Sequence, residues 1–232
     1  MISRQCGLIS SGRILDFLKT GQALSAHKNI QRMRVDLKSY LLKIKLLGVR
    51  PPVWRRFVVP KDIMLSQLHD VIQIVMGWTD SHLHQFLIDG KRYTKSPEWP
   101  IDGYEEKTYR LGSLVKGNGS TFQYRYDFGD EWRHDLIVED DDYLLPEAAE
   151  VFTCLNGKRA CPPEDVGGVY GYLELCEALQ DPDHEERDHW VEWIGDDFDS
   201  EYFNLEEVNA QLKAPLHEVE DVNSGFPSFH RK

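Results

Sequence analysis

The stretch Phe122–Asp165, FQYRYDFGDEWRHDLIVEDDDYLLPEAAEVFTCLNGKRACPPED, decides how this chain is read. Phe122, Tyr124, Tyr126 and Phe128 alternate with Gln123, Arg125 and Asp127, the period of a strand whose side chains point to opposite faces. After a Gly129-Asp130 turn, Trp132, His134, Leu136 and Val138 alternate in the same way. The pattern predicts an antiparallel hairpin with one aromatic face, on which His134 sits beside Trp132 and Leu136. Asn156-Gly157 reads as a further turn, between VFTCL and KRAC.

Upstream, YLLKIKLL alternates Leu42, Ile44 and Leu46 with Lys43 and Lys45 and predicts a strand. Pro51 and Pro52 interrupt it, since proline cannot donate to a ladder, and WRRFVV resumes as its hairpin partner. Ser66 is the expected N-cap of a helix carrying Leu68, Val71, Ile72, Val75 and Met76, which Gly77 ends. HLHQFLIDGKRY reads as a strand folded back at Asp89-Gly90, and residues 96–107 as an irregular loop. Downstream, GYLELCEALQ, HEERDHWVEWIG and NLEEVNAQLK have helical spacing. Strands early and helices late define an α+β domain: an antiparallel sheet built from hairpins, with one early helix and a helical C-terminal part packed on it. The expected organisation is a loosely ordered extension over 1–36, the α+β domain over 37–214 and a polar tail over 215–232.

Composition narrows the functional classes. A net charge of −12 and a pI near 5.2 argue against a general DNA binder, because such proteins neutralise phosphates with Lys and Arg. Four cysteines in 232 residues are too few for a disulfide scaffold. There is no apolar run of membrane-spanning length and no secretory leader pattern, so a cytoplasmic protein without a membrane partner is expected.

Several constellations could carry chemistry. His134, Cys154 and Cys161 are imidazole and thiolate donors of the kind zinc takes, although Cys-x6-Cys is wider than the usual knuckle and a fourth ligand must come from elsewhere. The alternative is two reduced cysteines and a hydrogen-bonded sheet histidine. His82-x-His84 places two imidazoles on one strand face, where they could share an ion; equally, one could pack under Trp78 and the other cap a turn. Asp127, Asp130 and Glu131 offer carboxylates for a divalent ion or for acid–base work, and are also what a tight turn prefers. Pro162-Pro163-Glu164-Asp165 followed by Gly167-Gly168 forms a corner before a helix, whose free N–H groups could meet an anion. Trp54, Arg55, Tyr126, Trp132, Glu164 and Asp165 are the candidate ligand-binding residues. No Ser-His-Asp order, phosphate loop or HExxH occurs.

The blocks RPPVWRR (50–56), GWTDSHLHQF (77–86), YDFGDEWRH (126–134) and PPEDVGGVYGY (162–172) together resemble the plasmid pRiA4b ORF-3-like family, over roughly Tyr40 to Leu212. The resemblance implies a bacterial and archaeal α+β domain, often near mobile elements, without an established activity. Some members carry a resolvase label. That label does not transfer, because Ser3, Ser10 and Ser11 with Arg4 and Arg13 lie outside the matching region and the C-terminal helices are acidic. Two functions remain open: an interaction module that binds a protein or small molecule through its aromatic sheet face, and a metal-dependent hydrolase or nuclease-like enzyme using His82, His84, Asp130 and His134.

Overall fold

A computed structural model describes residues 38–95, 103–146 and 149–213. The expected extension over 1–36 and tail over 215–232 lie outside them. Eight strands form one sheet: β1 (Ser39–Leu46), β2 (Trp54–Pro60), β3 (His84–Ile88), β4 (Lys91–Thr94), β5 (Gly103–Glu105), β6 (Thr121–Tyr126), β7 (Trp132–Tyr143) and β8 (Thr153–Lys158). Their spatial order is β5-β4-β3-β6-β7-β1-β2-β8, antiparallel throughout except for β4 beside β5. The helices are α1 (Leu65–Met76), α2 (Gly168–Gln180), α3 (Arg187–Ile194) and α4 (Leu205–Lys213). This is the expected α+β class.

Period two sorts the sheet into two faces. Leu42, Ile44, Leu46, Phe57, Phe86, Tyr124, Tyr126, Trp132, Leu136 and Val138 are all fully buried, clustered with Leu68, Val71, Ile72 and Val75 of α1. At roughly 1.5–3 kcal/mol for each large apolar side chain, this layer supplies most of the driving force for folding. The aromatic face expected to meet a partner is therefore the core.

Three local expectations change. Residue Met64, not Ser66, precedes the first turn of α1, and Gln67 Oε1 accepts its N–H at 3.2 Å. Within the 96–107 loop, Gly103–Glu105 adds a parallel edge strand beside β4. Asn156-Gly157 is not a turn: both lie within β8, Gly157 opposite Arg55 and Asn156 opposite Arg56, next to a register irregularity between Arg56 and Phe57. Gly157 is there because a Cβ would sit 2.7 Å from both Arg55 Cδ and the Phe203 ring, so the glycine allows close packing rather than chain reversal. Among the described residues, no helix is long and apolar enough to cross a membrane.

Candidate functional site

Three segments far apart in sequence meet at one end of the sheet. His82 lies just before β3, Asp127 just after β6, and Glu164 and Asp165 just before α2. The backbone N–H of Asp127 donates to Leu83 O at 2.9 Å, extending the β3–β6 ladder by one bond and setting His82 beside Asp127. The Asp130 carboxylate accepts the Gly167 N–H at 3.1 Å, holding the start of α2 against the β6–β7 turn. Gly168, at φ +70, makes that approach possible, since a Cβ there would meet Asp130 O at 2.7 Å. The helix start is thus answered by the protein's own carboxylate and not left for a bound anion.

The donor atoms converge on His82 Nε2, which lies 3.3 Å from Asp165 Oδ1, 3.7 Å from Asp127 Oδ2 and 3.7 Å from Glu164 Oε2. His82, Asp127 and Asp165 each place one donor atom within 4.8 Å of the others. Among the described residues, both His82 Nε2 and Glu164 Oε2 are buried without a hydrogen-bond partner. The other oxygens are engaged: Asp127 Oδ1 accepts the Gly129 N–H at 2.8 Å, and Glu164 Oε1 accepts from Thr79 N and Tyr126 Oη, each at 3.0 Å. These contacts aim the remaining oxygens inward. Burial, then the Glu164 carboxylate, pushes the Tyr126 phenol well above its ordinary range and keeps it a neutral donor.

A second cluster lies deeper. His69, Asp80 and His84 also place donor atoms within 4.8 Å of one another. Here the atoms are already satisfied. Gln73 Nε2 donates to Tyr124 Oη at 3.0 Å, Tyr124 Oη donates to His69 Nδ1 at 2.8 Å, and His69 Nε2 donates to Asp80 Oδ1 at 2.7 Å. His84 Nε2 pairs with Glu106 Oε2 at 2.7 Å, and the two imidazoles stack 3.4 Å apart. Burial, then the neighbouring His84, holds His69 at a pKa of about 4. This arrangement works as a closed polar network tying α1 to β3 and β6.

The four residues His82, His84, Asp130 and His134 do not form one site. His84 belongs to the deeper network, Asp130 ties two loops, and His134 is fully buried against Trp78 and Tyr124. Nor do His134, Cys154 and Cys161 form a metal centre: among the described residues, neither donor cluster contains any of them. Their chemistry explains why. Burial raises the Cys154 thiol to about 11 and pushes Cys161 higher still, so both are neutral thiols in the metal-free fold. Of the candidate ligand-binding residues, Glu164 and Asp165 sit in the acidic cluster and Tyr126 supports it. Trp132 is buried in the core. Arg55 is 2% exposed with its donors on backbone carbonyls, while Trp54 lies on the opposite sheet face. Sequence reasoning missed His69, whose place on an apolar helical stripe disguised it, and Glu106.

His134 gives the fold an acid limit. Its Nδ1–H donates to Tyr124 O at 3.2 Å, Nε2 has no partner, and burial lowers its pKa from 6.5 to about 3. Between those values the unfolded chain binds the proton and the folded chain does not. The contribution is complete above pH 6.5 and is lost as pH falls toward 3, at up to about 1.4 kcal/mol per pH unit. Urea midpoints measured from pH 7 to pH 4 should fall steadily, and a flat profile would refute a neutral buried His134.

An α+β domain with an open-mouthed histidine–carboxylate cluster is the class this structure defines. Residues 38–207 match the family described as plasmid pRiA4b ORF-3-like protein, and the chain belongs to that family. It is 41% identical over 174 residues to the uncharacterized protein y4hQ of Sinorhizobium fredii (strain NBRC 101917 / NGR234), covering 74% of this chain and 89% of that one. Its fold is similar to the crystal structure of MM3350 from Methanosarcina mazei Go1, a protein of unknown function. The two are 37% identical with a TM-score of 0.66, over 74% of this chain and 97% of the other.

Proposed function

We propose that this domain is a divalent-cation-dependent binding module, with the ion held by His82, Asp127 and Asp165 and with Glu164, whose Oε2 lies 3.7 Å from His82 Nε2, at the edge of the set. The observation that carries the reading is the pair of buried, unpartnered donor atoms, His82 Nε2 and Glu164 Oε2, facing each other among three carboxylates. Buried polar atoms are normally satisfied, and an ion would satisfy both. Spacings of 3.3–3.7 Å are near those of neighbouring ligands about 2.1 Å from a common ion. Three carboxylates and one imidazole, without thiolate, favour Mn²⁺ or Mg²⁺ over the zinc that the cysteines suggested. Asp165 is 74% exposed, so the ion would keep water or meet a partner's carboxylate or phosphate on that side.

The test is calorimetric titration of chelator-stripped full-length protein with Mn²⁺, Mg²⁺, Ca²⁺ and Zn²⁺. One equivalent of Mn²⁺ should bind; absence of heat with every ion refutes the reading. The same open side supports a second reading, metal-assisted hydrolysis, in which an ion-bound water is the nucleophile. Manganese-dependent turnover of a phosphodiester such as bis-p-nitrophenyl phosphate, lost in Asp127→Asn, would favour it. Binding without turnover leaves the module.

A further inference from the structure

The face of the sheet opposite the core has a charge that the whole chain conceals. Lys43 and Lys45 on β1, Arg56 on β2, Arg125 on β6 and Arg133 on β7 alternate with buried inward residues and so point outward. Cross-strand pairing brings Lys43 beside Arg56 and Arg125 beside Arg133. The carboxylates there are fewer and are engaged: Glu139 forms a two-pronged pair with Arg56, Asp135 accepts from Gln123 Nε2 at 3.1 Å, and Glu131 at the β6–β7 turn pairs with both Arg125 and Arg133. In a protein of net charge −12, this is a local reversal of sign. Two aromatic rings sit among the cations. Trp54 has Lys43 Nζ 5.0 Å and the Arg56 guanidinium 5.8 Å from its centroid, and the Phe128 ring lies 4.5 Å from the Arg125 guanidinium. On the β3–β6–β7 side of this face, away from Trp54 on β2, is a cleft of about 180 Å³ lined by Gln85, Leu87, Gln123, Tyr124, Arg125 and Arg133. The Arg125 Nε–H is buried there with no acceptor. Burial, then Arg133 and Arg92, pulls the Arg125 pKa down, which marks a site crowded with positive charge.

We infer that this open face binds single-stranded nucleic acid, with Lys43, Lys45 and Arg133 along the phosphates and Trp54 as a stacking ring. Charge complementarity selects a polyanion. Exposed aromatic faces interleaved with cations on a flat sheet select unpaired bases over a duplex, whose bases are already stacked. The Gln85 amide supplies hydrogen bonds that every base edge can use. The whole-chain charge excludes a strong general binder, and the prediction is accordingly of modest, salt-sensitive affinity.

The experiment is fluorescence anisotropy of a labelled oligothymidylate of ~15 nucleotides, titrated with full-length protein in EDTA, so that the cation site plays no part. Binding is expected at about 50 mM salt and should weaken roughly fifteenfold by about 200 mM if three phosphates are engaged. Trp54→Ala should weaken it about tenfold and Arg133→Ala should flatten the salt slope. Trp54 is partly exposed and Arg133 lies on the surface, so both variants should keep the wild-type melting curve. No binding at low salt overturns the inference, as does wild-type affinity in Trp54→Ala. Equal affinity for a duplex of the same length would make this a phosphate-backbone site, and displacement by polyglutamate at matched charge would make it an acidic-peptide site. Either result overturns the single-strand assignment.

Discussion

Replacing Arg55 with methionine is expected to destabilise the domain by about 3–5 kcal/mol, more than any surface substitution. The guanidinium is buried and, among the described residues, has no carboxylate partner. Its Nε donates to Val75 O at 2.7 Å, at the end of α1, and its terminal nitrogens donate to Trp54 O at 2.9 Å and to Lys158 O and Arg159 O at 2.8 Å each. One side chain thus joins α1, β2 and the end of β8, with the Phe203 ring 4.3 Å from its charge. Methionine fills the volume and strands four carbonyls, and a buried acceptor left without a donor costs about 1–3 kcal/mol. Lysine should rescue little, because a point ammonium cannot reproduce the planar fork. Urea denaturation of Arg55→Met and Arg55→Lys, read as midpoints at constant slope, measures both. A loss under 1 kcal/mol for Arg55→Met would mean that water replaces the fork at no cost.

The second large effect concerns the acidic cluster. At manganese concentrations about 100 times its dissociation constant, the ion should stabilise the wild-type fold by about 2.7 kcal/mol, which for a domain of this size is a rise of roughly 5–10 °C in melting temperature. Asp127→Asn and Glu164→Gln should show no such rise. Without added cation the same variants are expected to be as stable as wild type or more so, since each removes one of three carboxylates crowded within 3.7 Å of a single imidazole. The opposite pattern is equally informative. If both variants melt lower than wild type in EDTA and manganese moves none of the three, the cluster is a structural polar network and not a cation site.

These two sites mark how far the sequence could be read. The aromatic alternation of Phe122–Tyr126 and Trp132–Val138 identified strands and their shared face, because a period of two needs no knowledge of the rest of the chain. It did not say whether that face would meet solvent or helices. Trp132 was accordingly placed in a binding surface and is found in the core. The block PPED reads in sequence as a corner before a helix, and the fold sets its Glu164 and Asp165 beside His82. Of the histidines grouped with His82 and Asp130 as a hydrolase set, His84 and His134 lie on strand faces of neighbouring elements but turn to Glu106 and to Tyr124 O. Asn156-Gly157 misled for a related reason. A glycine needed for close approach looks in sequence like a glycine needed for a turn.

Local pattern by itself determined the α+β class, the hairpin strands, the helices and the family to which the chain belongs, since hydrophobic period and turn residues act over a few positions. Tertiary structure alone decided which donors converge and which cations face outward. His82, Asp127 and Glu164 are brought together by the β3–β6 ladder and by the Asp130 tie to α2, and these contacts span tens of residues. The net charge of −12 is a sum over the chain, whereas a bound ion or strand would meet a local field. Only the folded sheet separates an acidic mouth from a basic open face.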